Sequence, residues 1–232
     1  MFTVVICSAT RLSEADFFER SALGRCLRQT YRNFPLKLEI AFDNREGLGV
    51  CYNRAISRLS GAEDEIALFV HDDLSIIDFY WLDKLKLGLS QFHLVGLAGN
   101  QRRVPKQPGW AFTGCLPNNE FLWDSNANLS GAVGHGTGFP CDLTIFGPAL
   151  QRCALLDGIF LAAASRTLLE REIRFDEQFL FHFYDLDLCR TFDANGLTMG
   201  TVPLGVVHEG RNKFGTPDWW AAYAAYLRKW GA

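Results

Sequence analysis

The sequence predicts one α/β domain in which a mostly parallel sheet is flanked by helices. Short apolar runs rich in β-branched residues recur along the first 99 residues, and stretches with helical spacing separate them. Strands that alternate with helices form parallel, doubly wound sheets. The 232 residues suffice for one well-buried domain, and they contain no repeat or low-complexity tract.

The first half of the chain supplies four predicted strands and three predicted helices. The run FTVVIC is continuously apolar, which is typical of a strand buried on both faces, whereas LKLEIAF alternates. The strands are predicted at residues 2–7, 36–42, 65–70 and 93–99. Helices are predicted at 17–30, after a glycine-rich turn within 46–59, and at 78–89.

The second half begins with a long polar segment, residues 100–150, that is rich in Gly, Asn and Pro. A loop of this length in a compact domain is usually functional or disordered. Its aromatic residues, which include Trp110, favour a folded segment that faces a ligand. A strand-like run, 153–164, follows and is split at Asp157-Gly158. Helices are predicted at 165–172, 184–196 and 217–232, and short strands within 197–210.

Composition excludes several classes of protein. The net charge of -3 and the pI near 6.0 give no basic footprint for nucleic acid. The seven cysteines are scattered and odd in number, which favours a reducing cytoplasm over a disulfide framework. No apolar run approaches the roughly 18 residues of a membrane span, and the N-terminus lacks a signal-peptide pattern. We therefore expect a cytoplasmic protein without a transmembrane segment.

Polar side chains follow each predicted strand of the first half. They are Ser8 to Arg11, Asp43-Asn44, His71 to Asp73, and Asn100 to Arg103. Ligands bind open parallel sheets at the carboxyl ends of the strands. Carboxylates there suit Mg²⁺ or Mn²⁺ together with the oxygens of a substrate diphosphate. An equally weighted alternative is that Asp72 and Asp73 only cap the next helix.

The second half adds a carboxylate pair and a histidine. Asp185 and Asp187 stand at a predicted helix start, and His208 ends the last predicted strand. A carboxylate opposite a metal-diphosphate site could take a proton from an acceptor hydroxyl during sugar transfer. Structural roles remain open: Asp185 as a helix N-cap, Asp187 paired with Arg190 or Arg174, and His208 as an ordinary buried histidine.

The ordered motifs HDD, "DGIFLAAASRTLLE…FDEQFLFHFYDLDLCRTFDANG" and VVHEG resemble the inverting GT-A glycosyltransferases of family 2, especially the bacterial branch of glycosyltransferase-like proteins. The resemblance covers roughly the whole chain. It implies a GT-A (nucleotide-diphospho-sugar transferase) fold with a Rossmann-like sheet. It also implies a nucleotide-binding half at 1–99, an acceptor and catalytic half at 100–216, and a C-terminal helix at 217–232.

The resemblance also implies a role for individual residues. Asp185 matches the catalytic base of the family's Glu-Asp motif, and Tyr184 replaces the usual Glu. Asp73 and His208 match the metal ligands. The nucleotide-binding positions are Ala9, Thr10, Arg11, Asp43, Asn53, His71, Asp72 and Asp73. Two further departures from the family pattern are Tyr52, where an Arg often meets phosphate, and His71, which replaces the first acid of the DxD-type motif.

The implied function is metal-dependent, inverting transfer of a sugar, with Mn²⁺ or Mg²⁺ as the cofactor. The donor is a nucleotide sugar, usually a UDP-sugar, and the acceptor is a hydroxyl of a glycan, lipid-linked or protein molecule, as in bacterial surface glycan synthesis. The aromatic-rich tail is expected to pack on the body or to contact a partner or membrane surface.

Two alternatives remain beside this function. One is a catalytically degenerate member of the family that binds a nucleotide or glycan, which the changes at Tyr184 and Tyr52 keep open. The other is a nucleotidyltransferase, although the segment SATRLSEA after the first strand lacks the glycine-rich loop that such an enzyme would need.

Overall fold

A computed structural model describes residues 3–29, 31, 34–210 and 214–231. It confirms an α/β fold whose central sheet contains parallel pairs and is flanked by helices. Three residues of predicted elements lie outside the described residues: Phe2 of the first strand, Thr30 of the first helix and Ala232 of the last helix.

The secondary structure elements are given in chain order. The strands are β1 (Thr3–Ala9), β2 (Leu36–Ala41), β3 (Glu65–Val70), β4 (Leu74–Ile76), β5 (Leu94–Gly96), β6 (Ala98–Asn100), β7 (Phe112–Cys115), β8 (Phe121–Trp123), β9 (Leu129–His135), β10 (Asp142–Gly147), β11 (Arg152–Cys153), β12 (Leu155–Leu156), β13 (Phe160–Ala164), β14 (Met199–Thr201) and β15 (Val206–His208). The helices are α1 (Glu14–Arg20), α2 (Ala22–Gln29), α3 (Leu48–Ile56), α4 (Trp81–Gln91), α5 (Ser165–Glu170), α6 (Tyr184–Ala194) and α7 (Pro217–Trp230).

The main sheet has seven strands in the order β11-β14-β5-β13-β3-β1-β2. Strand β1 pairs in parallel with β2 and β3, and β14 pairs in parallel with β5. Strand β13 enters between β3 and β5 and is antiparallel to both. The fourth predicted strand therefore does not lie beside the third, because a strand from the second half of the chain occupies that place.

The fold contains a second sheet. Its strand order is β12-β6-β9-β15-β4, and β10 pairs with β9. The predicted strand at 93–99 is divided between the two sheets, since β5 belongs to the main sheet and β6 to the second. The segment 100–150 is folded, as predicted, and supplies the strands β7 to β10.

Burial of β1 and β3 in the main sheet explains why their sequences are continuous apolar runs. All six residues of β3 are buried, and so are the five central residues of β1. Helices α3 and α5 contact each other and the strands at the centre of the sheet. The predicted helix at 17–30 is two helices, because the backbone is extended at Ser21 between α1 and α2.

Two further expectations concern the cysteines and the membrane. All seven cysteines are free thiols. Among the helices that the structure describes, none has the length and apolar character needed to cross a bilayer, and the longest, α7, has 14 residues.

Candidate active site

His71, Asp73 and His208 lie together at the junction of the two sheets. One potential ligand atom from each residue lies within 4.8 Å of the others. Nε2 of His208 is 3.3 Å from Oδ1 of Asp73, and Nδ1 of His71 is 3.9 Å from the same oxygen. That oxygen is buried, and no described residue donates a hydrogen bond to it. The three side chains could therefore hold a divalent cation.

Strand pairing brings this cluster together. Strand β4 begins directly after Asp73 and pairs antiparallel with β15, so that Leu74 faces His208. The backbone N–H of Glu209 donates to the carbonyl of Asp73 at 2.8 Å. Because β4 follows the Asp pair, the alternative that Asp72 and Asp73 cap a helix is wrong.

The two neighbouring histidines stabilise the ionised form of Asp73. Burial opposes ionisation of this carboxyl group, but His208 and His71 outweigh burial and hold its pKa below the usual range. For His208, burial disfavours the proton, yet the adjacent Asp73 raises the pKa. Burial dominates at His71 and lowers its pKa. A cation at the site would compete with the proton of His208.

Asp185 lies in the first turn of α6 and lines the same cavity as the histidine and aspartate cluster. Its Oδ2 accepts a hydrogen bond from the N–H of Gly158 at 3.0 Å, and its Oδ1 accepts one from the N–H of Leu186 at 2.9 Å. Burial, reinforced by the charge of Asp157, raises the pKa of Asp185 to about 7. The alternative role as an N-cap is wrong, because Phe183 occupies that position.

The hydroxyl of Tyr184 contacts both Gly158, which binds Asp185, and His71. This hydroxyl donates to the carbonyl of Gly158 at 2.8 Å and lies 2.8 Å from Nε2 of His71. The preceding residue, Phe183, has a left-handed backbone with φ of 66°. Such strain in a non-glycine residue persists where the surroundings enforce it, often beside a functional site.

Aromatic side chains form much of the wall of this cavity, which has a volume of about 360 Å³. They come from the 100–150 segment, from the turn before α6, from the turn before α7 and from α7 itself. They include Trp110, Phe112, Trp123, Phe146, Phe181, Phe183, Phe214 and Trp219. The Trp110 region therefore lines the cavity, and its contact with a ligand stays a prediction. The indole N–H of Trp110 donates to Oδ2 of Asp157 at 2.6 Å.

The loops after β1 and β2 form a neighbouring group. The N–H of Asp43 donates to the carbonyl of Leu12, and the N–H of Asn44 donates to the carbonyl of Thr10. Burial raises the pKa of Asp72, and a hydrogen bond from the Thr10 hydroxyl opposes that shift. Thr10 is buried, Ala9 is half-buried, and Arg11 and Asp43 are exposed. Their roles in nucleotide binding stay predictions.

Asn53 and Tyr52, both in α3, are not members of the cation cluster and contact other residues. The amide of Asn53 exchanges two hydrogen bonds with the backbone of Phe175 and donates a third to Glu177. Its side chain thus ties α3 to the segment before α6, and its predicted contact with a nucleotide stays a prediction. Tyr52 is fully buried against Phe69 and Phe175, where an arginine could not reach solvent without rearrangement.

Asp157 and His135 are among the cavity residues that were not selected from the sequence. Asp157 stands at the turn between β12 and β13, and the Asp-Gly break within an apolar run is the signal that could have identified it. His135 ends β9 opposite His208 in the parallel β9–β15 pair. Nothing in the local sequence of His135 marks it, because its position depends on that long-range pairing.

Asp187 has a structural partner that the sequence did not indicate. Its Oδ1 lies 2.7 Å from both Nζ of Lys229 and Nε1 of Trp230. The alternatives with Arg190 and Arg174 are therefore wrong. The tail helix α7 packs on the body, with Trp219 and Tyr226 buried. Contact of this helix with a membrane stays a prediction.

No protein-family model and no curated protein matches this sequence. Solved structures do match its fold. TarS of S. aureus, residues 1–349, is 16% identical over 90% of this chain and 60% of its own, with a TM-score of 0.48. GalNAc-T7, crystallised with UDP, GalNAc and Mn²⁺, is 11% identical over 99% of this chain and 48% of its own, with a TM-score of 0.54. A197 from STIV is 11% identical over 93% of this chain and 100% of its own, with a TM-score of 0.45.

This chain has a GT-A glycosyltransferase fold. The likeness to GalNAc-T7 carries that conclusion, since it extends over nearly the whole chain. At 11% identity it describes the fold alone. The chain spans about half the length of GalNAc-T7 and 60% of the TarS fragment.

Proposed function

We propose that this protein is a metal-dependent, inverting glycosyltransferase of the family 2 type that transfers a sugar from a nucleotide sugar to an acceptor hydroxyl. The observation that carries the proposal is one cavity that holds both a cation-type cluster and a separate buried carboxylate, Asp185. Such transfer needs a group that accepts the hydroxyl proton and a means of stabilising the departing diphosphate.

The cluster fits a divalent cation. The buried Oδ1 of Asp73 accepts no hydrogen bond from a described residue, although two imidazole rings stand beside it. Asp73 and His208 would hold the ion, as the sequence predicts. When bound, Mn²⁺ or Mg²⁺ would supply positive charge to the leaving diphosphate.

Asp185 is the proposed general base. A pKa near 7 matches a base that works near neutral pH, because the group is then ionised and still basic enough to take a proton. The acceptor oxygen loses its proton to the Asp185 carboxylate as it bonds to the anomeric carbon. The bond from that carbon to the diphosphate oxygen breaks in the same displacement, so the configuration inverts.

The donor is proposed to be a UDP-sugar. GalNAc-T7, which shares the fold, was crystallised with UDP, GalNAc and Mn²⁺. Here the nucleotide would lie at the loops after β1 and β2, with Thr10 and Asp72 near the ribose. The aromatic wall around Trp110 would face the sugar and acceptor, since aromatic faces pack well against the C–H surfaces of sugars.

A thermal-shift screen tests the proposal. UDP and UDP-sugars with Mn²⁺ should raise the melting temperature by about 3 °C or more, and omission of the metal should remove most of the shift. A hit is then tested for transfer, and the anomeric configuration of the product is determined by NMR. Retention of configuration would contradict the inverting mechanism.

Matched variants separate the two parts of the site. Asp185→Asn should abolish transfer and keep the metal-dependent thermal shift, whereas Asp73→Asn should lose the shift. Asp83→Asn, on the exposed surface of α4, should change neither. Binding without any transfer in the wild type would favour the degenerate binding protein instead.

A further inference from the structure

The hydroxyl of Tyr184 fixes the proton position on His71. It lies 2.8 Å from the carbonyl oxygen of Gly158 and 2.8 Å from Nε2 of His71. A carbonyl can only accept, so the single hydroxyl proton points to Gly158. The hydroxyl oxygen must then accept from His71, which requires the proton on Nε2. In the neutral ring, Nδ1 is left with its lone pair.

That lone pair faces the cation cluster. Nδ1 of His71 is 3.9 Å from the buried Oδ1 of Asp73, on which Nε2 of His208 also converges at 3.3 Å. A histidine that binds a metal usually donates its other N–H to an oxygen, and this second contact sets the tautomer and orients the ring. The Tyr184–His71 contact has that form.

We propose that Tyr184 is a positioning residue that makes His71 a third metal ligand, giving a centre with two imidazoles and one carboxylate that disfavours Mg²⁺. The inference rests on the proposed function in assuming a divalent cation. Imidazole nitrogen suits later transition ions, whereas Mg²⁺ is held by oxygen ligands. The site should therefore bind Co²⁺ more tightly than Mn²⁺, and Mn²⁺ more tightly than Mg²⁺.

The chain offers a matched control in Tyr52. Its ring centroid is 6.1 Å from that of Tyr184, and both rings are buried. The Tyr52 hydroxyl has no hydrogen-bond partner among the described residues. Tyr52→Phe and Tyr184→Phe thus remove the same atom from neighbouring rings, but only the second change breaks the contact with His71.

The first measurement uses the metal-free protein. Nitrogen-15 NMR should show the neutral His71 ring protonated at Nε2 in the wild type and in Tyr52→Phe, and a mixture of tautomers in Tyr184→Phe. A ring protonated at Nδ1 in the wild type would overturn the inference. Circular dichroism establishes that each variant is folded.

The second measurement is metal affinity. Mn²⁺ is titrated by electron paramagnetic resonance, with Co²⁺ and Mg²⁺ as competitors. Tyr184→Phe should weaken Mn²⁺ binding about tenfold, while Tyr52→Phe should not. His71→Asp should raise the affinity for Mg²⁺ relative to Mn²⁺, because it replaces nitrogen by oxygen. Equal affinities in the two Tyr variants, an unchanged Mg²⁺ preference in His71→Asp, or no Mn²⁺ binding by the wild type would overturn the inference.

These results are distinguishable from failure of the proposed function. The expected tautomer and metal order without any sugar transfer would contradict the proposed activity and support the role of Tyr184. Sugar transfer by the wild type, together with equal metal affinity in Tyr184→Phe and Tyr52→Phe, would support the proposed activity and contradict the role of Tyr184.

Discussion

Asp185 is hydrogen-bonded to the backbone of Gly158, whose N–H donates to its Oδ2 at 3.0 Å. A side chain at residue 158 would overlap the Tyr184 hydroxyl, and its Cβ would lie 2.9 Å from Cβ of Asp185. The glycine therefore allows the start of α6 to approach the turn before β13. This close approach buries the carboxylate and, with the charge of Asp157, raises its pKa to about 7.

The first prediction is a pH dependence of the transfer reaction. The base must be ionised, so kcat/KM should rise about tenfold per pH unit below pH 7 and become level above it. Initial rates at subsaturating substrate between about pH 5.5 and 8.5 measure this profile. Asp83→Asn should show the same curve as the wild type. A rate that is constant from pH 5.5 upwards would exclude Asp185 as the titrating base.

The second prediction concerns stability. Since the folded pKa of Asp185 exceeds the ordinary value of 3.8 for an aspartate, the folded protein binds an extra proton between about pH 4 and pH 7. The contribution of this group to stability is therefore lost as the pH rises through that window. Asp185→Asn removes the buried charge, so it should raise the free energy of unfolding by about 4 kcal/mol at pH 8 and change it little at pH 4. Urea denaturation at both pH values measures this, and an equal difference at both would contradict it.

The order of motifs along the chain was enough to predict that Asp73, His208 and Asp185 lie near one another, whereas their catalytic and metal-binding roles stay predictions. Asp73, His208 and Asp185 each follow or precede an element with a clear pattern, and they share the cavity. The role of Tyr184 was not predictable, because it depends on a turn that is 26 residues away in sequence. Only the structure shows that its hydroxyl meets His71.

Long-range pairing also explains what the sequence could not indicate in the fold. Periodicity identifies a strand at Phe160–Ala164 but not its direction, and this strand runs antiparallel between β3 and β5. Most of the segment 100–150 shows little periodicity because β7 and β8 are short and because β7, β8 and β10 are largely unburied. Its aromatic residues nevertheless predicted a folded segment, and several of them line the cavity.

The third prediction concerns Gly210, directly beside the cation cluster. A Cβ at this position would overlap Oδ2 of Asp73 and lie 2.6 Å from Nε2 of His208. Gly210→Ala should displace one of these ligands and weaken Mn²⁺ binding about tenfold or more, measured by electron paramagnetic resonance. Gly205→Ala is the control, because its Cβ would make only ordinary contacts at 3.5 Å with Asp78 and Ile77. Unchanged affinity in Gly210→Ala would argue against the cluster as the metal site.

The fourth prediction concerns the attachment of α7 to the body. Asp187 is buried, and its Oδ1 is 2.7 Å from Nζ of Lys229, whose side chain is 31% exposed. Loss of this cation would leave a buried carboxylate whose only side-chain partner among the described residues is the Trp230 N–H. Lys229→Met should lower the free energy of unfolding by about 3 kcal/mol at neutral pH, measured by urea denaturation.

The neighbouring cation provides the control for this last prediction. Arg228 is exposed, so Arg228→Met should change stability by less than about 0.5 kcal/mol. Asp187→Asn in the Lys229→Met background removes the uncompensated charge and should restore part of the loss.

The pH dependence of this loss tests whether charge is its cause. Burial already favours the protonated form of Asp187, and its pKa is raised despite Lys229. The destabilisation by Lys229→Met should therefore shrink as the pH falls, because protonation relieves the buried charge. A loss that is the same at pH 4 and pH 8 would show that Lys229 acts through packing instead of charge.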